Sequence, residues 1–408
     1  MTDGQGATVR TPHSSVFLAL IFPFGVSTGY VTVTLAYLLA QRGMSVAAVG
    51  AVISLSNAPQ VWKVLWAPLV DTTLSPKRWY LLGVLGVGLS ILGMSLIGSP
   101  TAALGLLGTL VVLSSIASTL CSMSTETFMA NLGGRQQGRA SGWSQAGNWA
   151  GTGVGGGLAL YLAQHVQAQW VSGAATAAVC LACALPLLLI DEPKRGGRPT
   201  VRETVAEVAL DVWSVIKSRP GILVIFLMLL PIGSGGMQGL LNSTAGEWKV
   251  SAETVALTGG LIAGVVSGAA ALGAGYLCDV MNRRLAYCLF GSLIAVLLVA
   301  VVFLPRTQEV WIGATLAYNA LLGACYSAYS AVVLEVIGKG AAATKFNLMA
   351  SVANVPVFFM PIVDGLLHDR HGTNAMFYGE AALSVAAALL FGLVVLVWRP
   401  RRAAAAPA

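Results

Sequence analysis

Twelve long apolar stretches, each close to the length that crosses a bilayer, constrain this chain more than any other feature. A hydrocarbon core of about 30 Å needs roughly 20 consecutive apolar residues in a helix. The chain divides into stretches of that length at polar, glycine or proline breaks. The predicted spans cover approximately residues 16–40, 46–70, 80–98, 102–128, 140–163, 170–190, 222–242, 254–277, 285–304, 310–337, 346–366 and 375–398. The pattern therefore predicts an all-α membrane protein with twelve transmembrane helices.

The composition argues against a water-soluble fold. Of the 408 residues, 56% are hydrophobic and only 10% are charged, whereas about 25% of the residues of an average soluble domain are charged. The six cysteines lie inside apolar runs and do not alternate with His at ligand spacing, so we expect neither a metal site nor a disulfide. The net charge of +7 is not gathered on one stripe, which predicts no nucleic-acid partner.

The basic residues predict the orientation of the chain in the membrane. With the N-terminus inside, 18 of the 23 Lys and Arg residues fall on the cytoplasmic side and 4 on the other, with Lys63 inside a span. Cytoplasmic loops of membrane proteins carry an excess of Lys and Arg. We therefore predict a multi-pass protein of the bacterial inner membrane with both termini in the cytoplasm.

One long polar interval separates six spans from six. The predicted organisation is a cytoplasmic N-terminus over 1–14, a six-helix bundle over 15–190, a linker over 191–219, a second six-helix bundle over 220–398 and a cytoplasmic tail over 399–408. Within the linker, Thr200 and Glu203 fit a capping box, and apolar residues recur at helical spacing after it. The segment is either an amphipathic helix on the membrane surface or a solvated connector.

Corresponding features recur six spans apart. An acid followed by two bases occurs in the turns between spans 2 and 3 and between spans 8 and 9, as Asp71, Lys77 and Arg78 and then Asp279, Arg283 and Arg284. A glutamate, a base and an asparagine nine residues after the base recur as Glu126, Arg139 and Asn148 and then Glu335, Lys345 and Asn354. Such correspondence is typical of parallel repeats about an axis normal to the membrane, so we predict two pseudo-symmetric bundles.

Four segments carry a resemblance to a known family. Residues 62–71 read WKVLWAPLVD, which resembles the K-F-L-W-A-P-L-x-D block of the AmpG-like branch of the major facilitator superfamily. The turn at 279–284, the RASG sequence at 139–142 and the PIVDGL sequence at 361–366 also resemble that superfamily. The branch includes muropeptide permeases, acetyl-CoA transporters and siderophore permeases of the RhtX/FptX type. The resemblance implies the major facilitator fold and transport by alternating access.

The gating role of the loop residues rests on this resemblance. It implies that six charged residues hold the two halves together at the cytoplasmic face, and that Arg139 and Lys345 face them. The six residues are Asp71, Lys77, Arg78, Asp279, Arg283 and Arg284.

Ionisable residues inside the predicted spans are candidates for substrate binding or coupling, because each costs about 2.5 to 3.5 kcal/mol at mid-membrane. Lys63 lies eight residues before Asp71, and Glu126 lies at a comparable depth, which predicts an ion pair that substrate or a proton could break. The alternative is a snorkelling or structurally paired lysine. Glu335 is either a proton-responsive group or a gate acid bonded to a loop.

The remaining polar residues of the spans are candidates to line a central cavity. They are Tyr30, Thr34, Tyr37, Trp143, Gln145, Asn148, Trp149, Gln238, Asn242, Tyr318, Asn319, Tyr326, Tyr329, Asn347 and Asn354. Individually, each such residue is more often a bond between helices than a ligand contact. Asp364 and Glu380 lie towards the outer ends of spans 11 and 12, where we expect water to reach them and their role to be structural.

These observations predict a secondary active transporter, with proton-coupled import of a siderophore or cell-wall muropeptide as the leading function. Proton-coupled efflux of drugs or metabolites is the alternative. The sequence has no HExxH or Walker motif, so we expect neither an enzyme nor a primary pump. We expect no cofactor, the transmembrane proton gradient as energy source, a small-molecule substrate, the lipid bilayer as surroundings, and a monomer.

Overall fold

The computed structural model describes residues 13–98, 103–130, 132, 134–168, 170–190, 201–337 and 342–398. In the first half of the chain, span 1 is Val16–Gln41, span 2 is Val46–Thr72, span 3 is Pro76–Leu96 and span 4 is Leu104–Ala130. Span 5 runs through Gly134–Gly153, Val154–Leu158 and Ala159–His165, and span 6 is Trp170–Leu189. We call spans 1 to 6 the N-terminal half.

The second half of the chain, spans 7 to 12, is called the C-terminal half. Span 7 consists of Arg219–Leu229 and Met237–Ser243, span 8 is Ala252–Val280 and span 9 is Arg283–Val302. Span 10 is Gln308–Ile337, span 11 is Ala342–His371 and span 12 is Thr373–Val397. Each of the twelve predicted spans coincides with one of these segments, and the predicted all-α fold class is confirmed. A further helix, Val201–Lys217, lies in the interval predicted as the linker.

Nine of the described segments are long and apolar enough to cross a membrane by composition alone, and spans 2, 5 and 7 are not. Each of these three spans packs against a span of the other half. Their polar residues and their glycines therefore face protein rather than lipid, which is where polar groups are tolerated in a membrane.

Large apolar side chains cover the outside of the bundle. Leu65 is 76% exposed, Leu188 is 84% exposed and Leu389 is 70% exposed. A soluble protein rarely leaves such side chains in water over a broad area. Lipid tails are the environment that satisfies this surface.

Span 7 is interrupted, whereas the sequence pattern predicted a continuous span over 222–242. Between its two helices the chain reads PIGSGG over 231–236, where Pro231 has no backbone N–H to donate. Gly233 and Gly235 have φ values of 60° and 77°, a conformation that residues with a Cβ adopt only with strain. These residues end the first helix and leave irregular backbone inside the C-terminal half.

Wider, π-type turns occur in spans 1, 5 and 8, where these spans pack on one another. Such turns leave carbonyl groups without their usual helical partner. The buried Thr34 hydroxyl of span 1 donates to two carbonyl oxygens of span 5, those of Gly155 at 3.0 Å and Gly156 at 2.8 Å. The glycine-rich segment of span 5 therefore serves close helix packing.

Candidate substrate path and gates

The two ends of the bundle close in different ways. We call the end that holds the turns between spans 1 and 2 and between spans 11 and 12 the outer end, following the predicted orientation, and the opposite end the inner end. The halves meet along two pairs of spans, 2 with 11 and 5 with 8, and span 7 meets spans 1 and 2. A solute that passes between the halves must cross this interface.

At the outer end, backbone packs against backbone. A Cβ atom placed on Gly365 of span 11 would lie 2.6 Å from the Ala47 Cα of span 2. One placed on Gly260 of span 8 would lie 2.5 Å from the Gly157 nitrogen of span 5. Distances this short exclude any larger residue unless the helices move apart. The glycines thus allow the halves to close tightly at this end.

A carboxylate joins the halves at the same level. The Val46 and Ala47 backbone N–H groups donate to Asp369 Oδ1 and Oδ2, each at 3.1 Å. These amides belong to the first turn of span 2, where the helix itself offers them no acceptor. The negative charge of Asp369 also suits the positive end of the span 2 helix dipole. We call this pair of bonds the outer latch.

A second polar cluster surrounds Glu247, in the turn between spans 7 and 8. Its carboxylate pairs with Arg306 at 2.8 Å and with His368 at 2.6 Å, and it accepts a hydrogen bond from Thr373. Burial raises the pKa of Glu247, but the hydrogen bonds from His368 and Thr373, together with the charges of His368 and Arg306, outweigh burial, so the pKa lies below its ordinary 4.5. This cluster ties the outer ends of spans 7, 11 and 12 together.

Near the inner end, a hydrogen bond between two side chains joins the halves. The Asn347 amide of span 11 donates to Glu126 of span 4 at 2.9 Å. Further towards the middle, Trp149 of span 5 meets Tyr326 of span 10 edge-on, with ring centroids 6.2 Å apart. Contacts between single long side chains exchange more easily than packed backbones, so this end is the one held less tightly.

Lys63 is a buried cation of span 2, and its predicted ion pair with Glu126 is not formed. The residue is only 7% exposed, and within the described part of the chain it has no ion pair or hydrogen bond. Glu126 is bonded to Asn347 of the other half instead. Equal depth in two spans did not place the two groups on facing sides of their helices.

Glu335 of span 10 pairs at 3.3 Å with Arg284, in the first turn of span 9. Both interpretations of Glu335, a proton-responsive group and a gate acid, stay predictions. Within the described residues, no ion pair joins Lys77 or Arg78 to the loop of the opposite half, and the implied contacts of Asp71 stay a prediction. Arg139 is exposed, and the side chains of Asp71 and Lys345 lie outside the described residues.

The candidate cavity residues divide into two groups. Gln238 donates to Asn319 at 3.1 Å, and Asn242 donates to the Thr32 carbonyl at 3.1 Å, which joins span 7 to span 1 across the halves. Trp143 and Tyr326 are each 41% exposed. Three more candidates are bonded or buried within their own half. Tyr30 lines a small cavity between spans 1, 3, 5 and 6, Tyr37 accepts from Gln41, and Asn354 donates to the Ala350 carbonyl. Gln145 is exposed and Asn148 is half-buried.

The sequence analysis missed two residues that join the halves, Asp369 and Asn57, and one that joins spans within the C-terminal half, Glu247. Asn57 of span 2 donates to the Val357 carbonyl of span 11 at 3.2 Å. The sequence feature that could have identified them is a polar residue inside, or at the end of, an otherwise apolar span. Nothing in the sequence shows which backbone groups such a side chain meets.

Asp364 and Glu380 are buried rather than exposed to water, which corrects the expectation for both. Asp364 is 0% exposed and Glu380 is 2% exposed. Tyr318 of span 10 donates to Glu380 Oε1 at 3.0 Å. Both oxygens of Asp364 and the second oxygen of Glu380 have no hydrogen-bond partner within the described part of the chain.

Comparison with known proteins fits this architecture. The family model of the Major Facilitator Superfamily matches residues 16–355. The chain belongs to this superfamily. It is therefore a multi-pass membrane transporter and not an enzyme, and the recognition made from the sequence is confirmed at this level.

Individual relatives are distant. The chain is 24% identical over 414 residues to the anhydromuropeptide permease of Escherichia coli strain K12, covering 96% of this chain and 80% of the relative, and matches the protein of that name from strain O157:H7 equally. Two POT family transporters, solved with a thioalcohol-conjugated peptide and with 5-aminolevulinic acid, align with TM-scores of 0.71 and 0.72 at 12% and 11% identity. Each alignment covers 94% of this chain and 95% of the other. A D-xylose-proton symporter aligns with a TM-score of 0.69 at 14% identity, over 93% and 96% of the two chains. These structures share the fold.

Proposed function

We propose that this transporter imports an anionic, amphiphilic solute across the inner membrane by alternating access, coupled to protons, and that the solute is a muropeptide or a siderophore. The observation that carries the proposal is Lys63. A buried ammonium group is stable only if an anion or trapped water compensates for its lost hydration. Since no described side chain provides that anion, an anionic group of the solute is the natural partner.

The surroundings of the interface suit a solute with rings. Trp149, Tyr326 and Tyr329 form a chain of aromatic contacts, and Tyr329 continues it to Phe346. Aromatic faces pack against sugar or aryl rings while their polar edges remain wet. A muropeptide offers amino-sugar rings and peptide carboxylates, and the anhydromuropeptide permeases similar to this chain favour it over the siderophore.

Transport measurements on Lys63 variants test the proposal. Cells or proteoliposomes would be given radiolabelled anhydromuropeptide in one arm and a radiolabelled ferric siderophore in the other. We expect Lys63→Ala to reduce import of one solute at least tenfold, at an unchanged level of folded protein in the membrane. Lys63→Arg keeps the charge and should retain part of the activity.

The matched control is Lys249→Ala, because Lys249 is an exposed lysine in the turn before span 8. It should transport like the unmodified chain. Normal import by Lys63→Ala would overturn the role of the lysine. Extrusion of both solutes from energised cells, rather than accumulation, would instead favour efflux.

A further inference from the structure

A pair of carboxyl groups lies inside the C-terminal half, and no cation neighbours it among the residues that the structure describes. Asp364 is seven residues from the end of span 11 at His371, and Glu380 is seven residues after the start of span 12 at Thr373. At 1.5 Å per residue, both lie roughly 10 Å inside the outer end of the helices. The two side chains are within hydrogen-bonding reach of one another, and Tyr318 bonds to Glu380.

The described elements that pack around this pair offer no compensating charge. Span 10 presents the Tyr318 hydroxyl, and the interrupted span 7 presents backbone, with Gly236 so close that a Cβ there would lie 2.8 Å from Asp364 Oδ2. Span 9 meets span 12 at Gly291, whose carbonyl accepts from Ser384, and its next buried residues, Ile294 and Ala295, are not ionisable. The first helix of span 7 carries only Arg219, which bonds at its inner end to the Trp398 carbonyl.

Two carboxylates in such a place cannot both be ionised. Like charges in contact repel, and burial in the membrane adds the loss of hydration for each. A protonated carboxyl, by contrast, has an O–H that donates to its neighbour, so a single proton converts the repulsion into a hydrogen bond. The three unpartnered oxygen atoms of the pair are the acceptors that such a proton needs.

We propose that the Asp364–Glu380 pair, with Tyr318 as its hydrogen-bond donor, is the site that carries the transported proton. This inference rests on the proposed proton-coupled import and names its proton-binding group. Loading forms one O–H bond on a carboxylate of the pair, with the proton taken from water on the outer side. Release breaks that bond and gives the proton to water on the inner side, leaving the carboxylate.

The position of the pair connects it to both gates. His368 lies four residues after Asp364 on the same face of span 11 and is bonded to Glu247, so it stands between the pair and outer water. The outer latch residue Asp369 follows His368 directly. On the other side, the irregular backbone of span 7 lies against Asp364, while the second helix of span 7 contacts span 1 through Asn242. A change of charge at the pair therefore acts on the spans that join the halves.

Infrared spectroscopy of the reconstituted chain tests the site without any substrate. We expect an absorbance from the C=O group of a protonated carboxyl at about pH 7, well above the range in which exposed Asp and Glu ionise, and its loss as the pH rises further. The double variant Asp364→Asn with Glu380→Gln should lack the band, whereas Glu309→Gln, at the exposed start of span 10, should keep it. Identical spectra for the double variant and the unmodified chain would overturn the proposal. It would also be overturned if sodium chloride removed the band and choline chloride did not, because the pair would then bind Na⁺ rather than a proton.

Transport in liposomes gives the second measurement, with anhydromuropeptide as the probe. Glu380→Gln should exchange labelled for unlabelled solute within about twofold of the unmodified chain, but lose at least tenfold of the accumulation driven by a pH gradient. Full gradient-driven accumulation by this variant would overturn the proton site. If the unmodified chain does not move the probe although the infrared band behaves as expected, the muropeptide is refuted and the proton site stands supported. The thermal unfolding midpoint of each variant checks that it is folded.

Discussion

The two halves meet through closely packed backbone at the outer end of their interface and through side chains nearer the inner end. At the outer end, Gly365 lies against Ala47, Gly260 lies against Gly157, and Asp369 binds main-chain amides of span 2. The described contacts nearer the inner end join single side chains, as between Glu126 and Asn347. The first kind of contact requires a close and unique fit, whereas the second can re-form with other partners or with water.

This difference indicates how the closed outer end is held while the inner end opens. Close-packed backbone loses its favourable contacts all at once when helices separate, because dispersion falls steeply with distance. Side-chain hydrogen bonds near water are exchanged at little net change in free energy. The conformation in the structure is therefore one in which the outer gate is the firm one, and each end can be tested separately.

The largest effect is expected from Gly365→Val, which places a branched side chain where a Cβ already meets Ala47. Overpacking of this kind costs about 3 kcal/mol or more when backbone must move, which is roughly a hundredfold in the ratio of closed to open states. Transport should fall by a similar factor. Distances between spin labels on cysteines introduced at Gln167 and Glu253, in a chain without the six native cysteines, should report a separated outer end.

The control for that change is Gly392→Val, because nothing lies within 4 Å of a Cβ at Gly392. This variant should transport like the unmodified chain. An unchanged distance distribution in Gly365→Val would contradict the role assigned to the close approach.

A smaller effect is expected from Asp369→Ala, which removes both bonds of the outer latch. The loss of a helix-capping side chain costs about 1 kcal/mol, which corresponds to roughly a fivefold shift towards the open outer end. The same spin-label pair measures it. Arg370→Ala, at the exposed neighbour of Asp369, should leave the distances unchanged.

The cluster at Glu247 predicts a dependence on pH. Its lowered pKa means that the ionised carboxylate stabilises the fold above about pH 4.5, and that this stabilisation is lost as the pH falls through the lowered pKa. The difference in thermal unfolding midpoint between the unmodified chain and Glu247→Gln should therefore shrink as the pH falls through the lowered pKa of Glu247. A difference that grows in acid would contradict this assignment.

The smallest effect is expected from Asn347→Ala at the inner end. It removes one hydrogen bond to Glu126, which is worth about 1 kcal/mol or less where water can replace it. Transport should change by less than about fivefold, well below the effect of Gly365→Val. An equal loss in both variants would remove the contrast between the two ends.

The sequence was sufficient for the fold because the membrane imposes a strong constraint on it. Helices of the required length must be apolar wherever they meet lipid, so the twelve spans could be placed from hydropathy, and their repetition predicted two bundles. The break in span 7 was the exception. Pro231 and the glycines that follow it mark the break in the sequence. Hydropathy averaged over the length of a whole span does not resolve so short a segment.

The candidate site was harder to predict because depth along a helix does not fix the direction of a side chain. Lys63 and Glu126 lie at similar depths and yet do not pair. Asp364 and Glu380 lie near the outer ends of their spans and yet are fully buried, since they face spans 7 and 10 rather than water. The outer latch could not be predicted because Asp369 accepts hydrogen bonds from backbone amides, which every residue except proline carries.

The latch has an evolutionary consequence. Asp369 recognises peptide groups at positions 46 and 47 and not their side chains, so mutations there leave its partners intact unless proline removes an amide. The latch itself therefore constrains the acid and the two amides, and not the side chains at positions 46 and 47. An alignment of natural variants should show one constant column at position 369 and no proline at positions 46 and 47.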